Sequence, residues 1–152
     1  MRALNILLVD DNRSLLATLS EGLRKALGAA ASVAVCVSGS EALSMLTTQS
    51  FDVVISEFNL PGESGLELLN KIRQDYPETI LVLATTYGTD ALEKQVHRLR
   101  IGYLTKPFEI LLLVQIIHDL VGDAETATKK DETESAPHIL ITDSKKGNAD
   151  LF

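Results

Sequence analysis

A chain of 152 residues with 45% hydrophobic and 23% charged side chains has the composition of one globular domain with a full core. Its formal net charge of −7, with no basic cluster longer than Lys129-Lys130 or Lys145-Lys146, argues against holding nucleic acid by phosphate neutralisation. No apolar stretch reaches the length of a membrane span and only Arg2 precedes the first strand-like run, so neither an anchor nor a signal peptide is expected, and a cytoplasmic protein is.

Leu4 to Val9 reads as a strand, followed by a helix capped by Asn12 with Leu15, Leu16, Leu19, Leu23 and Leu27 at helical spacing, and ended by Gly28. Ser32 to Val37 is a second strand; Cys36 lies within it with no flanking His or basic residue, which favours a buried thiol over a redox nucleophile. Ser40 is expected to cap a second helix carrying Ala42, Leu43 and Leu46. The third strand, Val53 to Ile55, stops at Glu57, and the chain then breaks at Pro61-Gly62. A third helix follows Gly65, with Leu68, Leu69 and Ile72 facing inward, until Tyr76-Pro77 stops it. Ile80 to Thr85 is the fourth strand, and Thr89 or Asp90 caps a helix with Leu92, Val96 and Leu99 on one face. Gly102 to Leu104 is a short fifth strand, leading through Lys106-Pro107 into a last helix from Glu109 to Val121. Continuous apolar strands alternating with helices predict an α/β fold, a parallel sheet covered on both faces through right-handed crossovers.

The domain is expected to span 1–122. A stretch without apolar periodicity, 123–137, reads as a solvated linker or a loose helical extension. Residues 138–152 return to an apolar run, HILIT, in which Ile139, Leu140 and Asp143 overlay Ile6, Leu7 and Asp10. This tail reads as the start of a further domain or as an arm that pairs with an open sheet edge.

Four strand ends carry reactive groups: Asp10 and Asp11, Glu57, Thr85 and Thr86, and Lys106. In an open α/β sheet ligands bind at these carboxyl ends, so the four would form one acidic pocket with one lysine. The alternative for Glu57 is a surface glutamate that merely closes a strand. His97 and His118 are isolated on helices, with no partner at metal-ligand spacing, and read as solvated.

These residues resemble the receiver domain of two-component response regulators, from about Leu4 to Val121. The resemblance rests on the acidic pair in ILLVDDN, the NLPGESG loop, the threonine in LATTYG, and YLTKPF, in the family's order and spacing. It implies a doubly wound, flavodoxin-like sheet of five parallel strands in the order 2-1-3-4-5. It also implies a magnesium ion held by Asp10, Asp11, Glu57 and the carbonyl of Asn59, with Thr85 as switch hydroxyl, Tyr103 as rotating aromatic, and Lys106 as phosphoryl-pairing cation before a cis proline. For Tyr103 a simple packed aromatic is the alternative.

Two positions depart from the family. Glu57 stands where the family has the aspartate that takes a phosphoryl group from a kinase histidine; its extra methylene moves the carboxylate by roughly 1–1.5 Å, a large error for in-line attack. Leu99-Arg100 stands where the family commonly has Gly-Ala. The resemblance therefore implies a phosphorylation-impaired signalling module rather than an efficient catalyst, with magnesium binding that is weak. Glu57 should reach Lys106 and Thr85 and partly imitate the phosphorylated state. The competing readings are a working phosphoacceptor that uses Glu57 and a magnesium-dependent phosphohydrolase. A nucleotide-binding turn is excluded, because DDNRS has no glycines to admit a pyrophosphate.

Partners follow from the same resemblance: a sensor histidine kinase or another signalling protein. The last helix is apolar at Ile110, Leu111, Leu112, Leu113, Val114, Ile116, Ile117, Leu120 and Val121, too many for one buried stripe. A homodimer or an output domain is expected to cover the face made by the fourth helix, fifth strand and fifth helix.

Overall fold

Strands β1 (Leu4–Val9), β2 (Ala31–Cys36), β3 (Val53–Glu57), β4 (Ile80–Thr85) and β5 (Gly102–Thr105) pair in parallel, in the order β2-β1-β3-β4-β5. The computed structural model describes residues 3–130, with 124–130 as helical backbone. Helices α1 (Arg13–Leu27), α2 (Gly39–Leu46), α3 (Gly65–Asp75), α4 (Asp90–Arg98) and α5 (Ile110–Lys130) connect and cover the strands.

The strands are apolar throughout because they are buried on both faces. Alternation sends Leu7, Val9, Val54, Leu81 and Leu83 into one core with Ala42, Leu46, Leu68, Leu69, Ile72, Leu92 and Val96. It sends Ile6, Leu8, Val53, Ile55, Val82 and Ala84 into the other, against Leu16, Leu19, Leu23, Leu113, Ile116, Ile117 and Leu120. α2, α3 and α4 thus lie on one side, and α1 and α5 on the other. Cys36 is buried, as its surroundings in the sequence imply.

Helix starts follow side-chain caps. Asn12 Oδ1 accepts from Leu15 N–H at 3.0 Å, and Ser64 forms a reciprocal capping box with Glu67. Thr89, rather than Asp90, caps α4. The expected cap of α2 is corrected: Ser38 takes it, not Ser40, because Ser38 Oγ accepts from Glu41 N–H while Glu41 Oε1 accepts from Val37 N–H. β2 correspondingly begins and ends one residue earlier than expected.

β2 is an edge strand. Asp10 N–H donates to Cys36 O, so strand alternation turns the Val33 carbonyl toward the open side, where Arg24 donates to it at 2.8 Å. A bulky cation from α1 therefore blocks part of the edge against pairing.

α5 continues beyond Gly122 to Lys130, through the first part of the stretch read as linker. Its sequence there, DAETATKK, has no Gly or Pro to stop a helix. Most of the apolar excess on α5 is taken up by the molecule itself: Leu113, Ile116, Ile117 and Leu120 are buried, and Ile110 packs against Gly22 of α1. Leu111 and Leu112 remain exposed, at 71% and 47%. Among the described residues no helix is long and apolar enough to cross a membrane. The tail reading for 138–152, and the expected end of the linker, lie outside the described residues.

Candidate functional site

Each strand delivers its terminal side chain to the same edge of the sheet because all five run in one direction. Asp10 follows β1, Glu57 ends β3, Thr85 ends β4 and Lys106 follows β5; Asp10, Glu57 and Thr85 are buried. Lys106 Nζ lies 2.6 Å from Asp10 Oδ2 and 2.6 Å from Glu57 Oε1, bridging the two carboxylates. The other oxygen of each carboxylate accepts a backbone N–H: Asp10 Oδ1 from Asn12 at 2.9 Å, and Glu57 Oε2 from Asn59 at 2.8 Å.

The electrostatics favour a protonated lysine. Burial alone would lower the Lys106 pKa, but its hydrogen bonds to Asp10 and Glu57, together with their charges, outweigh that and raise it above the ordinary lysine value. Lys106 is joined to Pro107 by a cis bond, and its backbone N–H donates to Thr85 O at 2.9 Å.

Other expected site residues stand apart from this cluster. The Thr85 hydroxyl is bonded by the N–H of Tyr87 at 3.3 Å, within its own loop, so the expected reach of Glu57 to Thr85 is not realised; Lys106 and Asn59 hold both of its oxygens. Asp11 is exposed, as is Asn59. Tyr103 is half-buried on β5, against the core of the α2–α4 side. Burial and the charges of Glu93 and Asp90 raise its phenol pKa, opposed by a hydrogen bond with Thr105. His97 and His118 are exposed on their helices. Asp52 lies at the opposite end of β3, where it accepts from Asn5 N–H.

Asp10 and Glu57 turn to Lys106, while Asp11 is exposed. Among the described residues no group of three or more His, Cys, Asp or Glu is placed to hold a metal ion. In this arrangement the positive charge beside Asp10 and Glu57 is the Lys106 ammonium.

Two supporting features escaped the sequence reading. Gly65, read only as a helix start, lies where an added Cβ would collide with the backbone carbonyl of Glu57; its N–H donates to Phe58 O at 2.6 Å. Glycine is required there because the loop after β3 folds back onto the strand end, and α3 starts against it. Arg73 of α3 reaches across to the end of α4, donating to Leu99 O at 2.7 Å and to Arg100 O at 3.4 Å. Arg100 itself has a φ of 60° in the region glycine favours.

A parallel sheet in the order 2-1-3-4-5, with a lysine-bridged carboxylate pair at its carboxyl edge, defines a flavodoxin-like α/β protein of the chemotaxis-regulator type. Solved structures agree. The chemotaxis response regulator CheY4 of Vibrio cholerae superposes with a TM-score of 0.68 at 29% identity, covering 78% of this chain and 98% of that one. The signal receiver domain of an HD domain-containing protein from Pseudomonas fluorescens gives 0.72 at 28% identity, covering 86% and 96%.

The family described as the response regulator receiver domain matches residues 6–118, and the chain belongs to it, a family of two-component signalling. Among curated relatives, the response regulator protein FleR of Pseudomonas aeruginosa is 41% identical over 118 residues, covering 76% of this chain and 24% of the relative. The DNA-binding transcriptional regulator NtrC of Klebsiella pneumoniae is 36% identical over 104 residues, covering 68% and 22%. The chain thus spans about a quarter of the length of these relatives.

Proposed function

We propose that this chain is a phosphorylation-impaired receiver module that acts by binding a signalling partner, with Glu57 at the family's phosphoacceptor position. The observation that carries this reading is the double engagement of its carboxylate, Oε1 by Lys106 Nζ at 2.6 Å and Oε2 by Asn59 N–H at 2.8 Å. A nucleophilic carboxylate must present an oxygen in line with phosphorus. This one is a methylene longer than aspartate and has both oxygens committed to fixed donors.

The same contact places the Glu57 carboxylate against Lys106, the cation that pairs with the phosphoryl group in the family. One charge stands against about two for a phosphoryl group, so the imitation is partial. Thr85 and Tyr103 are the switch residues of this module, and it signals rather than catalyses. Magnesium binding is weak, because the ion competes with Lys106 for Asp10 and Glu57. The module works in the cytoplasm, in a relay headed by a sensor histidine kinase or another signalling protein. An output domain or a second copy docks on the face of α4, β5 and α5; on α5, Leu111 and Leu112 remain exposed. This domain does not contact nucleic acid. The domain proper occupies 1–122, with 123–137 leading to a tail or further unit at 138–152.

The test is incorporation of label from a small acyl phosphate in the presence of magnesium. The native chain should label negligibly and Glu57→Asp should label readily. Ready labelling of the native chain, abolished in Glu57→Gln, would make Glu57 a working acceptor and defeat the proposal.

A further inference from the structure

Tyr103 and Gly88 come together from different elements, β5 and the loop between β4 and α4. A Cβ built on Gly88 would fall inside the van der Waals envelope of the Tyr103 hydroxyl oxygen, and 3.0 Å from the ring carbon that carries it. The phenol therefore occupies the volume that any other residue at 88 would need for its side chain. Backbone conformation does not require glycine here: the glycines with positive φ are Gly28 and Gly62. The constraint at 88 is one of space, set by the end of the Tyr103 side chain, so a larger residue there displaces the phenol.

We propose that Gly88 is the positioning residue for Tyr103, admitting its hydroxyl against the β4–α4 loop and so setting where the ring stands on the surface that carries β5. The loop links this contact to the carboxylate–lysine cluster in a few bonds. Tyr87, the neighbour of Gly88, donates its N–H to the Thr85 hydroxyl, and the Thr85 carbonyl accepts from Lys106 N–H. The ring itself packs on the core of the α2–α4 side. The position of the ring is therefore set by the space that Gly88 leaves at its hydroxyl end. The functional part of this inference rests on the reading of the chain as a module whose conformation a partner detects. The contact itself does not.

The obstacle is the hydroxyl. Removing it with Tyr103→Phe leaves the ring carbon as the nearest atom, at a separation of 3.0 Å that a small ring tilt relieves. Alanine at 88 should thus conflict with tyrosine at 103 and be compatible with phenylalanine.

The experiment uses the full chain labelled with 3-fluorotyrosine, whose three tyrosine resonances, from Tyr76, Tyr87 and Tyr103, are assigned by single Tyr→Phe changes. In Gly88→Ala the Tyr103 resonance should move, and its solvent isotope shift should rise toward that of exposed Tyr87, while Tyr76 stays in place. An unmoved Tyr103 resonance in a folded Gly88→Ala protein overturns the proposal. If Gly88→Ala does not fold, recovery of folding on adding Tyr103→Phe supports it, and failure to recover overturns it. Neither readout involves a phosphodonor or a partner, so a failure here is separate from a failure of the phosphorylation-impaired reading.

Discussion

Lys106 stands 2.6 Å from Glu57 while its side chain is 13% exposed and that of Glu57 10%, so the pair is a desolvated contact rather than a surface ion pair. Asp10, 7% exposed, shares the same ammonium group. Two carboxylates and one lysine leave a net negative charge at the sheet edge, and the backbone N–H groups of Asn12 and Asn59 share the work of holding it.

Removing the lysine should be costly, because it leaves two buried carboxylates without their cation. Lys106→Met is expected to lower unfolding free energy by about 3 kcal/mol, the scale on which breaking one side of a buried ion pair acts. Urea denaturation measures it. Added magnesium should restore part of the loss in Lys106→Met and change the native protein little, since the internal cation is then absent.

The raised Lys106 pKa makes a prediction about alkaline pH. The folded state holds this proton more tightly than the unfolded chain, whose value is near 10.5. The associated stability is fully present below the unfolded pKa and is lost as pH rises through the higher folded pKa. Tyr103, also raised, acts in the same direction above its ordinary 10.0. Denaturation midpoints should fall steeply above about pH 10, and Lys106→Met should show a shallower fall.

Cys36 should be unreactive in the folded protein. Burial, aided by the charge of Glu41 and opposed by a hydrogen bond to Ser38, pushes its thiol up to about 11 from the usual 9.0. That shift leaves about a hundredfold less thiolate at pH 8 than an ordinary cysteine has, and thiolate is the reactive form. A disulfide reagent should modify Cys36 slowly in the native chain and within seconds in denaturant.

The link between α3 and the end of α4 predicts a pair of opposite effects. Arg73→Ala should cost about 1.5–3 kcal/mol, the range for hydrogen bonds made by a charged group, and should speed amide exchange around Leu99 to Ile101. Arg100→Gly should stabilise by about 0.5–1 kcal/mol, since glycine adopts a φ of 60° without a steric penalty. It also removes the positive charge that, after burial, lowers the Arg73 pKa. Thermal or urea unfolding checks both.

Strands, helices and their order were legible because each is signalled by neighbours in the chain. Short apolar runs such as Ile6 to Val9 and Leu81 to Ala84, bounded by polar residues, fit strands buried on both faces, and Asn12, Ser64 and Thr89 each cap a helix through residues three positions on. At α2 the expected cap, Ser40, lies two residues inside the start that Ser38 and Glu41 set together. The polar residues that end the strands were likewise visible, since a hydrophobic run stopping at Asp10 or Glu57 needs no partner to be noticed.

That the strand ends meet around Lys106 was expected from the parallel sheet and the resemblance; which oxygen meets which donor was not, because Lys106 lies 96 residues from Asp10 and 49 from Glu57, and no periodicity spans such distances. Only the packed sheet decides that Lys106 also takes Asp10, that Asp11 turns to solvent, and that the second Glu57 oxygen meets Asn59 while Thr85 bonds Tyr87. The same holds for Gly65 and Gly88: one residue of either looks like any other loop glycine until the Glu57 carbonyl or the Tyr103 hydroxyl arrives from elsewhere to fill the space a side chain would take. Local chemistry determined the elements and the candidate atoms of this protein, and close packing between segments remote in sequence decided which of those atoms touch.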